Sequence, residues 1–328
     1  MYAEFFKLTG LPFQLTPDSR FFFESSVHSK AMAHLTYGLN QGEGFIVITG
    51  DVGAGKTTLV EHLCSSLDPQ RYTIARISTT QTSADDTLRL VAAGFGIKTE
   101  GVEKANLLQR LEGTLVNAYR GGRRSLLVVD EAQNLTVPAL EELRMLSNFV
   151  VGNLPPLQSF LLGQPQFRPI MALPELEQLR QRVLASYHLG PLSAEETQAY
   201  VEHRLKRVGW MDDPHFADDV FGAIYDATGG VPRKINTLCS RILLFAFLEE
   251  THAVDRDMTV QVAEELKSEL SAGAVSGDAV VYSAPTPMNS PLDVGRRLSR
   301  IEERIDKHDH AIKRALAIAA SYIQGNVA

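Results

Sequence analysis

The sequence predicts an α/β fold, a parallel sheet sandwiched by helices, followed by a small all-helical domain and a C-terminal amphipathic helix. Three observations predict it. Between residues 45 and 190, short apolar runs alternate with longer amphipathic stretches, the pattern of parallel strands buried on both faces and joined by helical crossovers. After Pro191 the strand signal stops and helical spacing takes over. A stretch rich in Ser, Ala, Gly and Pro at 271–295 then separates this body from a last segment with apolar or small residues every three or four positions.

Residues 1–43 open with the aromatics Phe5, Phe6, Phe13 and Phe21 to Phe23, and a polar helical pattern runs from Ser29 to Gln41. This is expected to be an N-terminal segment packed on the sheet domain. The strands are expected at 45–49 (FIVIT), 72–77 (YTIARI), 125–130 (SLLVVD), 157–162 (LQSFLL) and 186–190 (SYHLG), within an α/β domain at 44–191. Helical patterns at 193–208, 215–228, 231–250 and 255–270 make up the helical domain at 192–270. Ser193 with Glu196 three residues on is a capping-box start. Residues 271–295 read as a flexible linker. In the amphipathic helix at 296–324, Leu298, Ile301, Ile305, His308, Ile312, Ala315, Ala319 and Tyr322 suit a heptad seam as well as a single helix docking on the body.

At 328 residues the chain is long enough for about two domains. Its 32 Lys and Arg against 39 Asp and Glu leave a net charge of −7, which argues against sequence-blind attraction to nucleic-acid backbones. Cys64 and Cys239 lie far apart without C-x-x-C spacing, so neither a disulfide framework nor a zinc knuckle is indicated. Two buried thiols in a reducing compartment are expected instead. The opening MYAEFFKLTG has no basic region followed by an apolar stretch. The longest apolar run, Ile242 to Leu248, falls far short of the ~20 residues a membrane span needs. These features predict a cytoplasmic protein with no direct membrane span.

The strongest chemical signal is Gly50-Asp51-Val52-Gly53-Ala54-Gly55-Lys56-Thr57-Thr58. It fits G-x-x-x-x-G-K-[ST] directly after the FIVIT strand and before the helical pattern Leu59, Val60, Leu63. Glycines let successive amides curl around a phosphate, and the helix N-terminus adds partial positive charge. Lys56 would reach the β- and γ-phosphates, and the Thr57 hydroxyl would ligate Mg²⁺. The second signal is the strand Leu126 to Val129 ending in Asp130-Glu131. A carboxylate at the carboxyl end of a parallel strand stands where open α/β sheets bind ligands. Asp130 would hold Mg²⁺, and Glu131 would orient and activate the attacking water. The nine histidines are scattered, and no G-x-S-x-G elbow or catalytic Cys-His signature is present. Phosphate-bond hydrolysis is the chemistry these residues support.

These motifs make the chain a P-loop NTPase, and it resembles the AAA+ ATPases. Residues 1–270 are similar to the general secretion pathway A-type ATPases, above all the subgroup associated with the PEP-CTERM/exosortase (XrtA) exopolysaccharide locus. The resemblance rests on YAEFFKLTGLPFQLTPDSRFFF, GDVGAGKTTL, LLVVDEAQNL, FLLGQPQF, LRQRVLASYHLGPLSAEET and GGVPRKIN. It implies ATP and Mg²⁺ as ligands, and the lack of a guanine-reading N-K-x-D pattern agrees. It also implies that Gln164 senses the γ-phosphate at the tip of the strand after the Asp130-Glu131 strand. Arg182, or its neighbour Arg180, becomes the arginine that reaches a neighbouring subunit's nucleotide, and Arg233 becomes the second sensor arginine of a helical lid. The implied protein is a ring oligomer, a hexamer, working with membrane-embedded secretion or polysaccharide-export proteins at the inner membrane. Because transposition helpers share this core, a DNA-associated ATP switch is the alternative reading.

Overall fold

Five parallel strands, β1 (Phe45–Gly50), β2 (Tyr72–Ser78), β3 (Arg124–Asp130), β4 (Leu157–Gly163) and β5 (Val183–Leu189), form one sheet in the order β2-β3-β4-β1-β5. The computed structural model describes residues 2–16, 18–78, 83–152 and 154–274. The helices are α1 (Tyr2–Phe5), α2 (Ser26–Gln41), α3 (Lys56–Ser66), α4 (Ala84–Gly94), α5 (Lys104–Arg120), α6 (Val137–Leu146), α7 (Phe167–Met171), α8 (Glu177–Arg180), α9 (Ala194–Arg207), α10 (Val220–Thr228), α11 (Pro232–Leu248) and α12 (Arg256–Ala274). Residues 1–273 form one compact unit.

Alternation along each strand splits the interior into two layers, because successive side chains leave a sheet on opposite faces. Phe45, Val47, Leu127, Val129 and Leu161 face a core shared with α4, α5 and α6. Ile46, Ile48, Leu126, Val128, Phe160 and Leu162 face a second core with Ala31, Leu35 and Leu39 of α2 and Leu59, Val60 and Leu63 of α3. Burial on both faces is why the central strands read as unbroken apolar runs.

Four strands lie where the sequence places them, within a residue at each end. The fifth differs: it spans Val183–Leu189, three residues earlier than the expected start, and Gly190 lies outside it. Among the described residues it pairs with β1 alone, and its residues alternate between part-buried and exposed up to Ser186, so no continuous apolar run marks it.

The helical part agrees with the predicted spans at α9, whose Ser193–Glu196 capping box forms, and at α11 and α12. Within the pattern at 215–228, however, His215–Phe216 form a two-residue strand, β6, parallel to β7 (Ala253–Val254). A two-residue strand shows no period to read. Helix α12 also continues to Ala274, so the first residues assigned to the linker are helical. The rest of that linker and the helix at 296–324 lie outside the described residues.

The N-terminal segment divides rather than packing as a whole on the sheet. Phe6, Leu8, Phe13 and Phe21 join the core of the helical part, among Leu192, Val201, Leu205 and Ile242. Buried Arg204 fixes this arrangement, donating to the Pro12 carbonyl at 2.6 Å and to the Tyr200 hydroxyl at 2.8 Å. Helix α2 lies on the sheet, and Phe22 packs against the same core. Both cysteines are buried and unpaired, as expected. Among the described residues, no helix is long and apolar enough to cross a membrane.

Candidate nucleotide site

Strand register brings the site together. Thr49 pairs with Gly163, Gly50 with Leu189, and Val129 with Leu161, so the carboxyl ends of β1, β4 and β3 share one edge of the sheet. Gly50, Gln164 and Asp130 therefore start their loops side by side.

The loop after β1 takes its shape from glycine. Gly53 and Gly55 have φ of +83° and +96°, values that an L side chain adopts only at a cost. Gly55 caps α3 without a side-chain hydrogen bond, leaving the first amides of an 11-residue helix directed at the loop. Lys56 is buried, and its Nζ donates to the carbonyls of Gly50 at 2.7 Å and Asp51 at 3.0 Å. Burial lowers its pKa, while the carboxylates of Glu131, Asp130 and Asp51 oppose that shift.

The Thr57 hydroxyl donates to Oδ2 of Asp130 at 2.8 Å. This hydroxyl and carboxylate are the hard oxygen donors that suit Mg²⁺, which takes one or two protein ligands and fills the rest of its octahedron with phosphate and water. Glu131 follows with φ +55°, an unusual conformation for a non-glycine residue, and its main-chain N–H donates to Oδ1 of Asp130 at 2.9 Å. Oδ1 and Oδ2 of Asp130 thus accept on opposite sides. Oε2 of Glu131 accepts from Nε2 of Gln164 at 2.9 Å and from Nε2 of Gln133. Oε1 of Gln133 in turn accepts the Gln164 main-chain N–H at 2.9 Å.

The helical part touches the loop directly. The Arg233 N–H donates to the Gly53 carbonyl at 3.2 Å, and a Cβ on Gly53 would stand 2.3 Å from the Cβ of Arg233. Gly230, with φ +70°, leaves no room for a Cβ against the Leu192 carbonyl, 2.1 Å away, so the turn before α11 is glycine by necessity. Gly53→Ala is therefore expected to weaken ATP binding about tenfold, from a strained backbone and a clash worth roughly 1–2 kcal/mol. A titration with a fluorescent ATP analogue reads the effect, and parent-like affinity would show that loop and α11 separate at little cost.

The structure thus brings together Gly50 to Thr58, Asp130, Glu131, Gln164 and Arg233. It does not bring Arg180 or Arg182 to this loop. Arg182 precedes β5 at the opposite end of the sheet, where its carbonyl accepts the Phe45 N–H. Its guanidinium donates to the Ser147 carbonyl at 2.9 Å, the Ser147 hydroxyl at 2.7 Å and Asn148. Arg180 donates to the Met171 carbonyl at 2.9 Å and pairs with Glu177.

One residue escaped sequence reasoning. Gln133 sits two places beyond Glu131, an isolated amide with no periodicity to mark it.

Fold and site together define a P-loop ATPase of the AAA class. Residues 39–171 match the family model described as an AAA domain. The chain is 37% identical over 255 residues to general secretion pathway protein A of Aeromonas hydrophila. That match covers 77% of this chain and 46% of the relative, so the chain spans about half the length of the curated protein it matches. Among solved structures it is similar to the Aeropyrum pernix ORC1 protein in complex with DNA, with TM-score 0.58, 15% identity, and coverage of 80% of this chain and 70% of that one. The ADP form of ORC2 from the same organism gives TM-score 0.56 at 15% identity over 86% and 80% of the two chains. The Thermotoga maritima RuvB Holliday junction branch migration motor gives 0.51 at 18% over 77% and 74%. At these identities the likeness is one of fold.

Proposed function

We propose that this chain binds Mg-ATP, hydrolyses it to ADP and phosphate as a ring oligomer, and couples the turnover to secretion. One observation carries the reading: Lys56, Thr57, Asp130, Glu131 and Gln164, from three separate loops, converge at one edge of the sheet, with Thr57 bonded to Asp130 and Gln164 to Glu131. Residues 44–191 serve as the ATPase domain and 192–270 as its lid.

On binding, the amides of Gly50 to Gly55 and of the first turn of α3 receive the phosphates. Lys56 exchanges the Gly50 and Asp51 carbonyls for β- and γ-phosphate oxygens. Thr57 and Asp130 would hold a magnesium ion, whose charge would offset that of the phosphates. Glu131 takes a proton from the attacking water as the water oxygen bonds to the γ-phosphorus. The bond from that phosphorus to the bridging oxygen breaks, and its electron pair leaves with ADP. Gln133 and Gln164 fix the carboxylate while this happens, and Arg233 carries the change in phosphate occupancy into the lid.

Arg182 acts on the nucleotide of a neighbouring copy, supplying positive charge to the transferring phosphoryl group. Its distance from its own loop supports an action in trans. Arg182→Ala is expected to lose turnover about a thousandfold or more, the range for such arginines. Mixing it with Glu131→Gln should restore activity, since each mixed interface can join an intact Glu131 to an intact Arg182. Mixtures as inactive as either variant alone would remove the trans assignment. Light scattering with and without ATP tests assembly independently.

The likeness to general secretion pathway protein A supports coupling to a secretion apparatus. The ordered motifs from the N-terminal YAEFFKLTGLPF to GGVPRKIN support the exosortase-associated branch and export of an exopolysaccharide. Contact with the inner membrane then runs through a partner protein.

A further inference from the structure

Arg180 and Arg182 stand two residues apart, yet their side chains are held in different ways. Arg180 forms an ion pair with Glu177 and donates to the Met171 and Leu173 carbonyls. The acceptors that the described residues give the Arg182 guanidinium are all neutral: the Ser147 carbonyl at 2.9 Å, the Ser147 hydroxyl at 2.7 Å and the Asn148 side-chain oxygen. A guanidinium carries five N–H groups. Nη1 makes both bonds to Ser147 and Nη2 the one to Asn148, so Nε has no acceptor among the described residues and no carboxylate offsets the charge.

The support under Arg182 is firm. Ser147 is the C-cap of α6 and is itself buried, at 8% exposure. Ala139, Leu140, Leu143 and Leu146 bury the inner side of that helix, and the Thr136 hydroxyl caps its start by accepting the Ala139 N–H at 3.3 Å. The unsatisfied carbonyls of a helix C-terminus carry partial negative charge, which attracts a cation without neutralising it. Asn148 adds its amide oxygen from an exposed position. The guanidinium is therefore fixed in place while its charge stays available to an anion.

We propose that Ser147 and Asn148 are positioning residues, which hold the Arg182 guanidinium with its charge unpaired so that it meets the terminal phosphate bound to a neighbouring copy. The inference rests on reading Arg182 as the arginine that acts in trans. It also separates the two neighbouring arginines, because the Glu177 carboxylate already partners Arg180.

A carboxylate in place of the Asn148 amide distinguishes this role from simple anchorage of β5 to α6. Asn148→Asp keeps the size of the side chain and its oxygen, and a charge-assisted bond holds Arg182 more strongly than a neutral one. Anchorage alone would thus be preserved, whereas an unpaired charge would be cancelled. In the full chain, Asn148→Asp is expected to keep the parent's thermal midpoint and its KM for ATP while kcat falls about tenfold, part of what such an arginine supplies. Ser147→Ala removes one acceptor without adding charge, and kcat should fall about threefold, the effect of one modest hydrogen bond. Parent-like kcat in either variant overturns the proposal.

Mixed assemblies show where the defect lies. Asn148→Asp mixed with Glu131→Gln should regain turnover, because some interfaces then join an intact Glu131 to a correctly held Arg182. Mixed with Arg182→Ala it should regain none, because every interface then receives a faulty arginine. Recovery with Arg182→Ala, or none with Glu131→Gln, overturns the proposal. Parent-like turnover in Arg182→Ala would remove the trans arginine itself. A faulty Arg182→Ala beside a parent-like Asn148→Asp would remove the positioning role alone.

Discussion

Glu131→Gln should bind ATP as tightly as the parent and hydrolyse it about 10² to 10⁴ times more slowly, the usual worth of a positioned general base. The geometry explains why the two effects separate. Oε2 of Glu131 already accepts from the side chains of Gln133 and Gln164, and a glutamine can present its carbonyl oxygen to the same donors. Lys56, Thr57 and Asp130 keep their bonds to one another and to the loop. The substitution thus leaves the cradle in place and removes the basic oxygen that takes the proton. Phosphate release measures the rate, and titration with the fluorescent analogue measures affinity. Equal turnover in variant and parent would place the base on another residue.

Lys56→Ala should instead lose binding and turnover together. Two losses coincide there. The ammonium lies within the loop, on the Gly50 and Asp51 carbonyls, and a charge-assisted bond to phosphate is among the strongest a side chain makes. It also ties the Gly50 and Asp51 carbonyls together, so alanine leaves the loop without its internal clamp. Three carboxylates, of Glu131, Asp130 and Asp51, oppose the burial that lowers the lysine's pKa. Without Lys56 these acids face incoming phosphates with less compensation, and like charges repel. Affinity should fall at least about a hundredfold, roughly 2.7 kcal/mol, in isothermal titration calorimetry. Parent-like affinity would show that the loop amides alone hold the nucleotide. Lys56→Met, which keeps the apolar stem, separates loss of charge from loss of packing.

The parts of this fold that were legible in the sequence are those where burial is symmetrical. β1, β3 and β4 are covered on both faces, so their apolar runs coincide with their boundaries within a residue or so. β2 lies at an edge too but keeps the apolar Ile74, Ala75 and Ile77, whereas β5 begins with alternating part-buried and exposed residues from Val183 to Ser186, and its start was missed there. The opening aromatics announced a packed segment, but not which core it joins. Composition gives the burial of Phe6 and Phe13, while the Arg204–Pro12 bond that commits them to the helical part joins residues 192 positions apart.

The site divides in the same way. The Gly50 to Thr57 loop and the Asp130-Glu131 pair are local patterns whose chemistry requires their spacing, and they meet as expected. Gln164 and Arg233 were named through resemblance alone, and in the fold they contact Glu131 and Gly53. Gln133 was not found, because its link to Gln164, 31 positions away, exists only in the folded chain. No period or spacing in a single chain records such a contact.

The polypeptide visits the helical part twice, first with Phe6 to Phe21 and again from Leu192, and builds the whole sheet in between. Two chain crossings, near Ser25 and Pro191, therefore join these bodies. An object suspended at two points swings about the line between them and resists other rotations. Rotation about that line is the relative motion these two crossings resist least, and severing the backbone between Phe23 and Ser25 would remove one of the two pivots.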